Sequence, residues 1–264
     1  MFSPTGTSRK VALSVVDGYG ATPCVVDATC REPGELTFDS ESLVFMVVPV
    51  YGGKVAATAL QRFDSMRGDR TPIVPIVVYG NRAYEGAAVQ LAEYVEARGF
   101  VPVAAGAFVG EHSYSTPATP IAVGRPDAED LAAARAWGKA IGEKVACMAS
   151  PVAVDVTRLK HPKNSLWSML RFAHFVMQQR RKKGTPKLTP QVDAELCRLC
   201  GKCARVCPTA AIDVHDCLHS DAKRCIKCCA CVKCCPTKAR TLDTPYAPVL
   251  SKCFAQRKMP VTLL

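Results

Sequence analysis

Cys197-Arg198-Leu199-Cys200-Gly201-Lys202-Cys203-Ala204-Arg205-Val206-Cys207-Pro208 is followed by Cys225-Ile226-Lys227-Cys228-Cys229-Ala230-Cys231-Val232-Lys233-Cys234-Cys235-Pro236. Each of the four spaced cysteines of the first stretch recurs 28 residues later in the second, which marks an internal duplication. Three cysteines three apart on a tight loop can aim three thiolates at one face of a cubane cluster. The fourth iron must be reached from elsewhere, and the Cys-Pro pair sends the chain across, so each fourth cysteine serves the other centre. The spacing therefore predicts two [4Fe–4S] clusters. One is held by Cys197, Cys200, Cys203 and Cys235, the other by Cys225, Cys228, Cys231 and Cys207. Structural zinc more often takes two separated cysteine pairs than two triplets with Cys-Pro.

The rest of the composition agrees. Of 15 cysteines in 264 residues, 11 fall between Cys197 and Cys235, too crowded for a disulfide framework. Cys229, Cys234, Cys217, Cys24, Cys30, Cys147 and Cys253 lie outside the repeat and read as small buried hydrophobes. The start, Met1-Phe2-Ser3-Pro4, lacks a basic stretch followed by an apolar core, and the longest apolar run, residues 43–50, is strand-sized. The expectation is a cytoplasmic chain.

Charge is uneven. Residues 1–150 carry 13 Lys and Arg against 16 Asp and Glu, while residues 151–264 carry 21 against 7. Cluster thiolates offset part of the basic excess. No nucleic-acid-binding motif accompanies it, so no nucleic acid partner is expected.

Residues 1–150 alternate strand-like runs (24–28, 43–51, 73–79 and 101–108) with helical patterns (8–16, 55–66, 84–98 and 128–145). Alternation with continuous apolar strands predicts an α/β fold, a parallel sheet with helices on both faces. Ligands of such sheets gather beyond the C-terminal strand ends. Three segments fall there. Ser3, Thr5, Gly6, Thr7 and Ser8 open the first helix, where hydroxyls and unpaired N–H groups can cradle a phosphate. Tyr51, Gly52, Gly53 and Lys54 follow the second strand-like run. Tyr79, Gly80, Asn81, Arg82 and Tyr84 follow the third. Plain N-capping and ordinary turns are the simpler reading of the same residues.

Residues 197–236 resemble bacterial-type two-cluster ferredoxins, which implies a small α+β module passing one electron at a time. Residues 3–8 resemble the phosphate loop of flavodoxins. The whole chain is similar to a family of flavodoxin–ferredoxin fusions, the family ferrodoxins, on residues 2–8, 49–54, 77–84, 110–115 and 124–127. That resemblance implies FMN held by the three segments, with Tyr51 and Tyr84 on the ring, Gly52 and Gly53 near N5, and Arg82 near the pyrimidine edge. Residues 110–115 would lie over the flavin as a lid, with His112 or Glu111 as candidate proton donors. Only Met1 and Phe2 stand where flavodoxin-like domains have their first strand, so that strand is expected to be missing and the start to lie too far downstream.

The expected domains are 1–150, flavodoxin-like and FMN-binding; 151–192, a basic linker with one helix; 193–240, the two-cluster ferredoxin; and 241–264, a tail wrapped on the surface. The linker helix, about 165–181, is apolar on more than one side and ends in Arg180-Arg181-Lys182-Lys183. Packing between domains is its expected role, with peripheral membrane contact through 165–183 as the alternative. The functional expectation is an electron-transfer protein coupling FMN to two [4Fe–4S] clusters and serving redox partner proteins. An FMN-dependent reductase fed by its ferredoxin, or a ferredoxin with a docking domain that has lost flavin, are the competing readings.

Overall fold

The computed structural model describes residues 1–182 and 188–264. Lys183 of the basic run, with Pro186 and Lys187 of the linker, lies outside the described residues. The chain divides into two compact units. One comprises Met1–Glu111, Gly124–Pro162 and Arg257–Leu264; the other comprises His112–Val123 and Lys163–Gln256. This division runs through the middle of the expected 1–150 and 241–264 segments, because distant parts of the chain pair with each other.

The first unit is a mixed α/β structure around a sheet. It begins with α1 (Thr7–Tyr19), β1 (Leu36–Phe38), β2 (Val44–Tyr51), β3 (Lys54–Val55) and α2 (Ala57–Arg62). It continues with β4 (Met66–Gly68), β5 (Thr71–Tyr79), α3 (Ala87–Glu96), β6 (Phe100–Pro102), β7 (Ala105–Val109) and α4 (Ala128–Ala146). β2, β5 and β7 are adjacent and parallel, with Val47 opposite Ile76 and Val77 opposite Ala107. β6 extends the parallel pairing beside the start of β5. All nine residues of β5 are buried, as a central strand covered on both faces requires.

Side-chain alternation sorts the two faces. Val74, Ile76 and Val78 of β5 pack with Val11 and Val15 of α1 and with Ala134, Trp137 and Ile141 of α4. α3 packs against β5 and β6 through a separate apolar stripe, Leu91 and Val95 among it. α1 and α4 approach closely at Gly138, where an added Cβ would lie 1.9 Å from the Val15 carbonyl oxygen. α4 starts on a reciprocal capping box between Asp127 and Asp130. Asp130 is also the partner of the buried Arg125 guanidinium.

Two differences from the sequence expectations concern this sheet. The missing first strand is replaced by a two-residue stub. The Phe2 amide donates to the Val47 carbonyl of β2 at 3.1 Å, and the Met1 carbonyl accepts from the Ala28 amide at 3.0 Å. Phe2 is fully buried. The stub thus bridges β2 and the extended segment at 26–28, and the backbone groups that a gap would strand are paired. The tail is likewise not a surface wrap. Its last residues form β10 (Val261–Leu263), antiparallel to β7. Arg257 pairs with Asp127 and Glu129, and the Lys258 ammonium donates to the carbonyls of Asn81 and Arg82.

The second unit contains α5 (Leu166–Arg181), β8 (Gln191–Val192), α6 (Lys202–Arg205), α7 (Ala230–Lys233), β9 (Arg240–Thr241) and α8 (Tyr246–Cys253). β8 and β9 form a short antiparallel pair. α5 packs on α8 through Phe172 and Phe175, whose rings meet Phe254 and Tyr246 edge-on at 5.4 and 5.2 Å. Its opposite face, Leu166, Trp167, Leu170 and Met177, is exposed. No helix among the described residues is long and apolar enough to cross a membrane.

Candidate functional site

The duplication in the sequence is a duplication of backbone geometry. Leu199, Gly201 and Ala210 have positive φ, and so do Lys227, Cys229 and Lys238, each 28 residues later. Gly201 precedes α6 and Cys229 precedes α7, both left-handed. The Asp193 amide donates to the Ala239 carbonyl at 2.8 Å, and the Asp221 amide donates to the Ala211 carbonyl at 2.8 Å. These two bonds are reciprocal, since 193 and 221, like 211 and 239, are repeat equivalents. Each half therefore closes on the other.

That exchange brings the cysteines together crosswise. Cys197, Cys200, Cys203 and Cys235 line one cavity. Cys207, Cys225, Cys228 and Cys231 line another. The fourth cysteines are held alike. Cys207 Sγ lies 3.8 Å from the Thr209 hydroxyl and Cys235 Sγ 3.7 Å from that of Thr237. The Ala211 amide donates to Cys207 Sγ at 3.2 Å.

Electrostatics follow from burial. Cys228 and Cys231 are pushed up to about 12, chiefly by desolvation, with the charge of Cys207 adding to both. Cys225 is raised for the same reasons. Cys235 moves the other way. Desolvation opposes its ionisation, but the amides of Arg240, Thr237 and Ala239 and the Thr237 hydroxyl outweigh it. Amides directed at a sulfur are what a thiolate ligand needs.

The other cysteines divide. Cys229 and Cys217 are buried, as expected, and Cys217 Sγ donates to the Val214 carbonyl at 3.5 Å. Cys24, Cys30 and Cys147 are exposed, which corrects their reading as buried hydrophobes. Cys24 and Cys30 flank the extended edge segment at 26–28 and Cys147 caps the end of α4, so none reaches the core.

In the first unit, the loops after β2, β5 and β7 lie at one edge of the sheet, because those strands are parallel. The start of α1 lies there too, since a Cβ on Gly110 would sit 3.1 Å from Thr7 Cβ. Gly6 is left-handed before α1 and provides no side-chain cap. Ser3 Oγ accepts from the Arg9 amide at 2.9 Å, and the Thr5 and Thr7 hydroxyls are 3.4 Å apart. Ser8 is 1% exposed, and its hydroxyl has no hydrogen-bond partner among the described residues; the buried Tyr79 hydroxyl is in the same state. Gly52 and Gly53 form the left-handed turn between β2 and β3, beside an exposed Lys54 and a half-buried Tyr51. A Cβ on Gly53 would meet the Glu85 carboxylate, which pairs with Arg82, so the loops after β2 and β5 converge.

Tyr84 is not on the surface. Its ring packs between Tyr79 and His161, and its hydroxyl donates to the Lys160 carbonyl at 2.8 Å. Burial pushes that hydroxyl up to about 12. Residues 110–115 are also divided. Glu111 stays with the first unit and accepts from the Gly124 amide at 3.0 Å. His112 Nδ1 accepts from the Tyr114 amide, and 112–115 belong to the second unit. There Tyr114 is pushed up to about 12 by desolvation, with the Cys229 and Cys225 thiols the next contributors. Tyr114 joins the apolar cluster of Ile121, Leu250 and Phe254.

Arg240 is not legible from the cysteine spacing. It is buried in the wall of the first cavity. Its one sequence signal is a break in the repeat, where residue 212 is isoleucine.

No curated protein and no solved structure significantly matches the chain. Residues 190–213, which include Cys197, Cys200, Cys203 and Cys207, match the family model described as a 4Fe-4S binding domain, Fer4. The chain thus carries a ferredoxin-type iron–sulfur domain, and with it a role in electron transfer.

Proposed function

We propose that this chain is an electron-transfer protein whose cysteine unit carries two [4Fe–4S] clusters, ligated crosswise, and whose sheet unit is a flavodoxin-like domain that binds FMN. The observation that carries the cluster half is the pair of cavities, each walled by the three spaced cysteines of one repeat and the fourth of the other, with Cys229 or Cys217 beside them. A single zinc ion would draw four ligands to about 2–2.3 Å of one point. Sulfurs spread around a cavity suit a larger inorganic core. Anaerobic reconstitution is expected to give about eight irons per chain, and a zinc-only product sinks this reading.

FMN rests on the edge where α1 begins. Its phosphate fits the first turn of α1, with Gly6 allowing close backbone approach and the partnerless Ser8 hydroxyl as a further donor. Lys54 and the β2–β3 turn border the same edge. When bound, FMN supplies a centre able to exchange electrons singly or in pairs, which matches two-electron partners to one-electron clusters. The burial of Tyr84 favours a second reading, in which the sheet unit docks a partner without flavin.

Ser8→Ala separates the two. A buried hydroxyl without a partner costs about 1–3 kcal/mol, so its removal is expected to raise the thermal stability of flavin-free protein. If Ser8 binds phosphate, the same change weakens FMN roughly tenfold or more in an equilibrium titration. Unchanged FMN affinity, or no FMN uptake by the unaltered chain, supports the docking reading.

A further inference from the structure

Arg240 breaks the symmetry of the cysteine unit. Its repeat equivalent is Ile212. Ile212 lies in the wall of the cavity lined by Cys207, Cys225, Cys228 and Cys231, and Arg240 in the wall of the other. The arginine is 3% exposed. Its guanidinium donates to Ser220 Oγ at 2.9 Å and to the Cys217 carbonyl. Ser220 lines the second cavity and Cys217 the first, so a cation is fixed in the partition between them. Among the described residues no carboxylate forms an ion pair with it. Burying an unpaired cation is costly, and anionic clusters on either side would offset that cost.

We propose that Arg240 holds the clusters at higher reduction potential than their cysteines alone would set. This inference rests on the two-cluster reading. Each cluster takes one electron from an external reductant, dithionite in the test, and gains one negative charge. A fixed nearby cation stabilises the reduced state more than the oxidised one.

The test is a potentiometric titration of the reconstituted full chain, followed by electron paramagnetic resonance. Arg240→Ile, the repeat's own alternative, and Arg240→Gln are expected to lower at least one reduction constant tenfold or more, about 59 mV for a one-electron couple. Arg240→Lys is expected to stay near the original potentials. Neutral variants that load iron fully and keep both potentials overturn the inference. So does a neutral variant that loses iron while its remaining centre keeps its potential, since that marks a structural role. Absence of iron from the unaltered chain overturns the two-cluster reading itself.

A different observation carries a second inference. α5 is apolar on two sides, with Phe172 and Phe175 turned to α8. The other side exposes Leu166 by 72% and Trp167 by 76%, with Leu170 and Met177 in line. Lys163, Arg171, Arg180, Arg181 and Lys182 are exposed around it, and no acidic residue occurs between Asp155 and Asp193. We infer that this face lies in an anionic lipid surface, its leucines and Trp167 among the acyl chains and its cations at the headgroups. In flotation assays the full chain is expected to bind vesicles containing phosphatidylserine and to bind neutral phosphatidylcholine vesicles weakly. Leu166→Gln with Leu170→Gln is expected to lower that binding tenfold or more. Binding unaffected by the double substitution, no binding to anionic vesicles, or a dimer in solution that the substitution abolishes overturns it.

Discussion

Cys207→Ala is expected to halve the iron of the reconstituted protein, from about eight to about four per chain, and Cys235→Ala to do the same. Either loss would normally be read as damage to the loop that carries the residue. The crossed cavities require the opposite. Cys207 lines the cavity of Cys225, Cys228 and Cys231, so on the crossed proposal its removal leaves the Cys197 loop with all of its ligands. Cluster ligation also supports folding, because the free energy of metal binding is shared with the structure that presents the ligands. The loop that loses its cluster is therefore expected to become the more protease-sensitive of the two, which limited proteolysis followed by mass spectrometry reads directly. For Cys207→Ala that loop is 225–231.

The second large effect lies in the sheet unit. Asp130→Ala is expected to destabilise that unit by about 3–5 kcal/mol, because it strands the buried Arg125 guanidinium. Asp130 also caps α4 in return for Asp127, so the start of that helix loosens as well. Arg125→Met combined with Asp130→Met removes both charges and is expected to recover most of the loss. Denaturant unfolding of the two variants checks this, and a double variant as destabilised as Asp130→Ala would show that the stranded guanidinium is not the source of the loss.

What could be read from the sequence was whatever is local. The cysteine spacing carries its own geometry, since a 28-residue repeat copies left-handed positions, short helices and hydrogen bonds from 199–210 onto 227–238. β2, β5 and α4 are legible for a related reason, as continuous apolar strands and a capped helix start are short-range patterns. What escaped is non-local. Met1 and Phe2 are too short to register as a strand, yet they hydrogen-bond to Ala28 on one side and Val47 on the other. The run at 101–108 reads as a single strand, but β6 and β7 are separate pieces that pair with opposite ends of β5. Tyr114 sits in the stretch 110–115 that carries the flavodoxin–ferredoxin resemblance, and its packing partners Leu250 and Phe254 lie more than a hundred residues away. β10 could not be inferred from 261–263 without knowing that the edge of β7 stood open. Arg240 differs from its repeat equivalent, but only the cavity walls give that difference a meaning.

The most direct measurement pairs the substitutions. Cys207→Ala with Cys225→Ala is expected to retain as much iron as Cys207→Ala alone, since the crossed proposal assigns both residues to one centre. Cys207→Ala with Cys197→Ala should retain none. The reverse pattern, with the 197–207 pair sparing a cluster and the 207–225 pair sparing neither, would mean that each repeat wraps its own metal and that the crossed arrangement is wrong.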